Sequence, residues 1–369
     1  MTTEATEETP KKLGFLETGE VAVPLEIETS PNFAQWLGSL DVSLVFTAYQ
    51  SSKVVFVGRE LESEKLTFSE GNNILRCMGL GIHHSGRALT VATKNQLVRF
   101  ENLVPPTFTY EGHDAIYAPH RVWVTGYLDT HDVAMMANKS LLFVNTGYSC
   151  LATVSDGYSF KPFWRPPFIS ELAPEDRCHL NGMAVANDRP FFATAVSNTD
   201  TPKGWVDRMA DGGVLLDVAS GATLMSGLSM PHSPRIHNGR LWMLQTGLGA
   251  VGWVDLQERK FVPLAFCPGF ARGLGFFGDY AVVCLSLPRS DEKDFSHLPL
   301  GKTLAERGEE PRCGLMVVDI RNGETVAWLT AKAGARELFD VGFLPGVRNP
   351  RVIDFQNEEI NRVINYDTR

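Results

Sequence analysis

GLGIHHSGRALTVAT, residues 79–93, reads as a small-residue start, a short apolar strand, a turn and a second apolar strand closing on Thr. The same order returns in DVAMMANKSLLFVNT (132–146), GMAVANDRPFFAT (182–194), SPRIHNGRLWMLQT (233–246) and GLGFFGDYAVVCLS (273–286), and a shorter match, DVGF, begins at Asp340. Between the equivalent positions Leu80, Val133, Met183, Pro234, Leu274 and Val341 the steps are 53, 50, 51, 40 and 67 residues. A period of that length holds about four short strands, which is one blade of a β-propeller.

The intervals supply the missing strands. QLVRF (96–100), CLATVS (150–155), GVLLDV (213–218) and AVGWVD (250–255) are short β-branched or aromatic runs between turn residues. Residues 42–57, VSLVFTAYQSSKVVFV, read as two strands ahead of the first full unit, while the sixth inner strand lies near the C-terminus. The expectation is an all-β propeller of six blades, its ring closed by strands from both termini so that no sheet edge is left open. Seven blades remain possible if the 67-residue step, or the tail around 351–355, hides another.

Composition bounds the partners. Residues 1–20 are rich in Thr, Glu and Lys and lack an apolar core, which reads as a flexible acidic segment ahead of a single domain spanning 21–369. A net charge of −9 without a concentrated basic surface argues against nucleic acid. No apolar run approaches the roughly 20 residues of a spanning helix, so no membrane partner is expected. Six cysteines without CxxC spacing suggest reduced, buried thiols and a cytoplasmic location. Oligomeric state is not legible.

Three histidines then fall into register. The residue before each shared Gly, Asp or Ser is Met78, His131, Asn181, His232, Arg272 and Phe339 in successive units, and His179 lies two residues before Asn181. Strand residues two apart share a face, so His131, His179 and His232 are expected at one mouth of the channel. Three imidazoles with an open coordination position suit zinc, iron or copper. Asp129 and Asp132 flank His131 and would orient a ligand or move a proton. Arg235 and Arg272 would hold an anionic substrate, and Asn181 would donate to it. The competing reading gives the histidines backbone hydrogen bonds between blades, and the arginines structural pairing with Asp132 or Asp340. Cys178, adjacent to His179, reads as a packed thiol. Residues 161–177, KPFWRPPFISELAPEDR, read as a rigid proline-rich rim loop, and 290–312 as a second rim element or an insertion without a role.

The runs GYLDTHDVA (126–134), WRPPFISELAPEDRCHLNGMA (164–184), GLSMPHSPRIHNGRLW (227–242) and CPGFARGLGF (267–276) resemble a bacterial family of conserved hypothetical proteins predicted to be β-propellers. The resemblance runs from about residue 41 to 350 and implies the fold, with no established substrate. More distantly, Glu70-Gly71 and Asn181-Gly182 are similar to elements of six-bladed lactonases and related calcium-dependent hydrolases, whose central metal is held by Glu, Asn and Asp; the histidines depart from that pattern. Propellers of the peptide-amidating lyase and carotenoid-cleaving types hold metals on their axes with histidine. Fold alone does not choose among such activities.

The sequence therefore supports a metal-dependent enzyme acting on a small molecule or peptide at one channel mouth. It would be hydrolytic or a lyase with zinc, and oxidative with iron or copper. A protein- or peptide-binding propeller using Trp164 and Arg165, and a calcium-dependent lactonase-like hydrolase using Asn181, are the alternatives.

Overall fold

In the computed structural model, residues 23–63, 65–289 and 294–364 are described. The 1–20 segment lies outside them. The described residues form six small sheets in a ring, a six-bladed β-propeller. Inner strands are Leu338–Pro345 (blade one), Leu80–Ile82 (two), Thr130–Met135 (three), Leu180–Ala186 (four), Pro231–His237 (five) and Phe270–Phe277 (six).

The ring closes in blade one, and further strands from the two ends of the chain cover edges of blades six and two. Blade one places Leu338–Pro345 beside Val42–Ala48, with Val42 opposite Pro345 and Phe46 opposite Val341. Glu26–Thr29 adds an antiparallel fifth strand to the outer edge of blade six, against Thr325–Ala333. The tail contains no seventh blade: Pro350–Val352 pairs in parallel with Ala115–Val124 at the outer edge of blade two. Each addition covers a row of unpaired backbone groups that would otherwise face solvent.

Second and third strands are apolar on both faces because each blade is packed between two others. Val42–Ala48, Lys53–Arg59, Ala88–Ala92, Leu141–Asn145 and Gly314–Asp319 are buried at every position. The hydrophobic clusters are the seams between neighbouring blades. Phe56 of blade one stacks on Tyr117 of blade two at 5.0 Å. The helix Phe33–Ser39 buries Phe33, Trp36 and Leu37 across the seam of blades six and one.

Near the axis the blades approach so closely that side chains give way to backbone. A Cβ on Gly79 would stand 2.9 Å from the backbone of Asp132, and one on Gly273 would stand 2.6 Å from that of Asp340. Hydroxyls then tie adjacent blades. Thr47, Thr146, Thr246 and Ser286, at the ends of second strands, donate to the carbonyls of Met78, Leu180, Ala271 and Leu338, on or just before the next inner strand.

Two expectations change here. Residues 161–177 are not wholly a loop: Lys161–Trp164 is the outer strand of blade three, an edge position where Pro162 costs no internal ladder bond. Trp164 packs half-buried against the seam of blades three and four, so it is not a rim residue. The 67-residue step holds a helix, Pro299–Arg307, and among the described residues no extra blade. All six cysteines are buried and free. Among the described residues no helix is long and apolar enough to cross a membrane.

Candidate functional site

The two mouths of the channel hold different residues. One opens into a cavity of about 790 Å³ lined by His131, His179, His232, Asp129 and Arg272. The other, about 420 Å³, holds Asp132 and Arg235 together with His83, His84 and His237. No lining residue is common to both.

Sequence reading placed Asp132 beside His131 and made Arg235 and Arg272 a joint clamp. The structure separates both pairs: His131 and Asp132, adjacent on one strand, face opposite ways, and Arg235 lines one mouth while Arg272 lines the other. Arg235 reaches from blade five to Asp132 of blade three (2.7 and 3.1 Å) and stands 3.9 Å from Asp340 of blade one. Asp132 also accepts from the Met183 amide (3.0 Å) and Asp340 from that of Leu80 (2.9 Å). Burial raises the Asp340 carboxyl to about 7, only partly offset by Arg235. Arg235 thus pairs with the two aspartates, and the cluster joins three blades near the axis.

Asn181 is also spent within the fold. Its amide nitrogen donates to the Pro231 carbonyl (2.9 Å) and its oxygen accepts from Thr194 (2.8 Å). Glu70 pairs with the buried Lys53. Neither residue lines the histidine cavity, so the donors of the calcium reading are not brought together.

The histidines are brought together by a repeated device. Asp129 and Met230 take left-handed backbone, φ 53° and 45°, and each turns its carbonyl onto the imidazole two residues later. His131 Nδ1 donates to the Asp129 carbonyl (2.8 Å), with the Thr146 hydroxyl at 2.9 Å; His232 Nδ1 donates to that of Met230 (2.9 Å), with Thr246 at 3.0 Å. His179 takes the carbonyl-bearing position itself, at φ 51°. Its Nδ1 donates to the Asp176 carboxylate at 3.0 and 3.1 Å. In all three, an acceptor holds the proton on Nδ1, so the neutral ring carries its lone pair on Nε2. No Nε2 of the three has a hydrogen-bond partner among the described residues.

Neighbouring rings and carboxylates hold these imidazoles in place. His131 and His179 meet edge to face at 4.7 Å, and His179 lies 4.0 Å from the Trp205 ring, whose Nε1 also donates to Asp176 (2.9 Å). Burial drives the His131 pKa down to about 4, although Asp129 opposes it. Burial, then the Arg272 guanidinium, push His232 well below its ordinary value. For Asp129, burial pushes upward but His131, His179 and the Tyr127 hydroxyl prevail and hold it low. Arg272 is buried against Glu337 and lies over the Phe270 and Phe339 rings at 4.7 and 5.4 Å. Among the described residues no three His, Cys, Asp or Glu side chains are grouped closely enough to hold a metal ion.

Several lining residues escaped the sequence reading: Arg76, Tyr127, Asp176 and Trp205. Arg76 could have been found, since it lies two residues before Met78, the offset His179 has from Asn181. It too is left-handed, at φ 51°. Asp176 and Trp205 arrive on connections that no repeat describes. The 288–312 stretch contributes Phe295 and His297 to the wall, with Phe295 stacked on Phe270 at 6.0 Å.

No curated protein matches the chain in sequence. It is similar in structure to a chain of the nidogen/laminin complex, with 10% identity and a TM-score of 0.54 over 83% of this chain and 99% of that one. That likeness is one of propeller fold alone. Also similar are a protein of unknown function from Bacteroides caccae (9% identity, 82% and 98% covered, TM-score 0.48) and a gluconolactonase from Xanthomonas campestris (11%, 80% and 86%, 0.48). A family model matches residues 31–353, and the chain belongs to that family, described as a domain of unknown function, DUF4915.

Proposed function

We propose that the protein is an enzyme acting on a small molecule at the histidine mouth, with His179 as general base. The observation that carries this is the Asp176–His179 pair, with Nε2 of His179 unpartnered in a cavity of about 790 Å³. An imidazole held by a carboxylate at Nδ1 takes a proton at Nε2, and the carboxylate stabilises the imidazolium that results. The proton would come from a bound hydroxyl, an acidic C–H or an attacking water. His131 and His232, uncharged because they are buried, would accept hydrogen bonds from the substrate without repelling that imidazolium.

A second reading, a zinc, iron or copper centre on the same Nε2 atoms, is favoured by the Nδ1 anchoring itself, because metal-bound imidazoles commonly donate their other nitrogen in this way. It requires His232 to close on the His131–His179 pair. One experiment separates the readings. Untagged protein is analysed for metals, then incubated with a metabolite extract whose components are followed by mass spectrometry. General-base catalysis predicts turnover without stoichiometric metal, lowered about 10²–10⁴-fold in His179→Ala. Stoichiometric metal lost from the triple His→Ala variant would establish the second reading, and absence of turnover by the wild type would overturn both.

A further inference from the structure

The hydrogen-bonding roles at the mouth are fixed strongly enough to specify a ligand. His131, His179 and His232 commit Nδ1–H to Asp129, Asp176 and Met230, so in its neutral form each ring can only accept toward the cavity. A ligand that satisfies them must donate, and hydroxyl groups do so while leaving a proton within reach of His179.

The cations differ in what they have left to offer. Arg272 is buried on Glu337, and Arg289 shares that carboxylate at 3.2 Å. Arg76 bonds the Tyr49 hydroxyl and lies 5.0 and 5.6 Å from the Tyr49 and Tyr127 rings, but it makes no ion pair among the described residues. This half-buried guanidinium feels the Asp129 carboxylate without forming an ion pair with it, and beside the nitrogen spent on Tyr49 it keeps donors for an anion. Tyr49, Tyr127, Trp205, Phe270, Phe295 and Phe339 supply flat apolar walls around these polar groups. A cavity of this kind, apolar with a few convergent polar groups, is what small-molecule sites require.

We propose that the ligand of this mouth is a hydroxylated small-molecule acid, its anionic group held by Arg76 and its hydroxyls donated to Nε2 of the three histidines. This rests on the enzymic reading above and adds the substrate class to it. The ring of positions two residues before Met78, His131, Asn181 and His232 then has a division of labour. Arg76 anchors charge, His179 moves the proton, and the carbonyls of Asp129 and Met230 set the acceptor direction of His131 and His232.

Calorimetric titration tests it with three scaffolds, each in three forms. These are threonate, butyrate and erythritol; shikimate, cyclohex-1-ene-1-carboxylate and myo-inositol; and 3,4-dihydroxybenzoate, benzoate and catechol. On at least one scaffold the hydroxy acid is expected to bind at least tenfold tighter than both the hydroxyl-free acid and the neutral form. Arg76→Ala should remove that preference while leaving the melting temperature of the free protein unchanged. No binding of any of the three hydroxy acids at 10 mM, or equal binding by the hydroxyl-free or neutral forms, overturns the inference. Equal binding of hydroxyl-free acids that still needs Arg76 leaves the histidine enzyme standing. Hydroxy-acid binding with no turnover in the extract overturns the enzyme and not the ligand class.

Discussion

At the scale of single residues, the chemistry of the mouth is set by which nitrogen carries the proton. His131 and His232 are equivalent, each served by a left-handed residue two positions earlier and by a closing threonine. The repeat made that pair legible, and the two-residue offset placed His179 at the same mouth. Carbonyl direction was not legible, because it depends on positive φ at Asp129 and Met230, which their side chains do not announce. Arg76 shares the offset of His179, but an arginine in a turn does not by itself announce a cavity wall. One consequence can be measured. Native His131 protonates near pH 4, whereas the unfolded chain does so near its ordinary value of 6.5. Between these values the unfolded state binds more protons, so stability is intact above about pH 6.5 and lost as pH falls toward 4. Urea unfolding at pH 7.5 and 4.5 should show the wild type losing on the order of 1–3 kcal/mol more than His131→Phe, since a tenfold difference in proton affinity between the two states is worth about 1.4 kcal/mol. Parallel losses in the two proteins would contradict this.

At the scale of elements, the inner and second strands were readable because their pattern repeats and their faces are buried. The outer strands were less so. Lys161–Trp164 carries a proline that suits an edge but resembles a loop when read alone. The helix Pro299–Arg307 lies in an insertion outside the period, and its Leu300 and Leu304 pack with Phe270, Phe295 and Met230 behind the cavity. What made the inner strands detectable, the small residue at each start, is also what lets neighbouring blades meet. Gly79→Ala places a methyl 2.9 Å from the Asp132 backbone, which cannot yield without shifting blade three. Overpacking of this kind costs about 1–3 kcal/mol. Chemical denaturation should find that loss; an unchanged midpoint would mean the blades are less tightly joined than the structure has them.

At the scale of the whole molecule, the ring puts different chemistry at its two ends. Arg235, Asp132 and Asp340 join blades five, three and one near the axis, and the cavities on either side share no residue. Six blades and their closure followed from the spacing of the repeats. The separation of the mouths did not, because it depends on which way His131 and Asp132 turn from one strand. Of the two mouths, only the one that holds His131, His179 and His232 is proposed to be reactive. The most direct test compares small-molecule turnover from a metabolite extract by the wild type, by His179→Ala and by His84→Ala, the last an exposed residue of the opposite mouth. Turnover is expected to be lost in His179→Ala and unchanged in His84→Ala. Turnover retained by His179→Ala, or lost in His84→Ala, would contradict it.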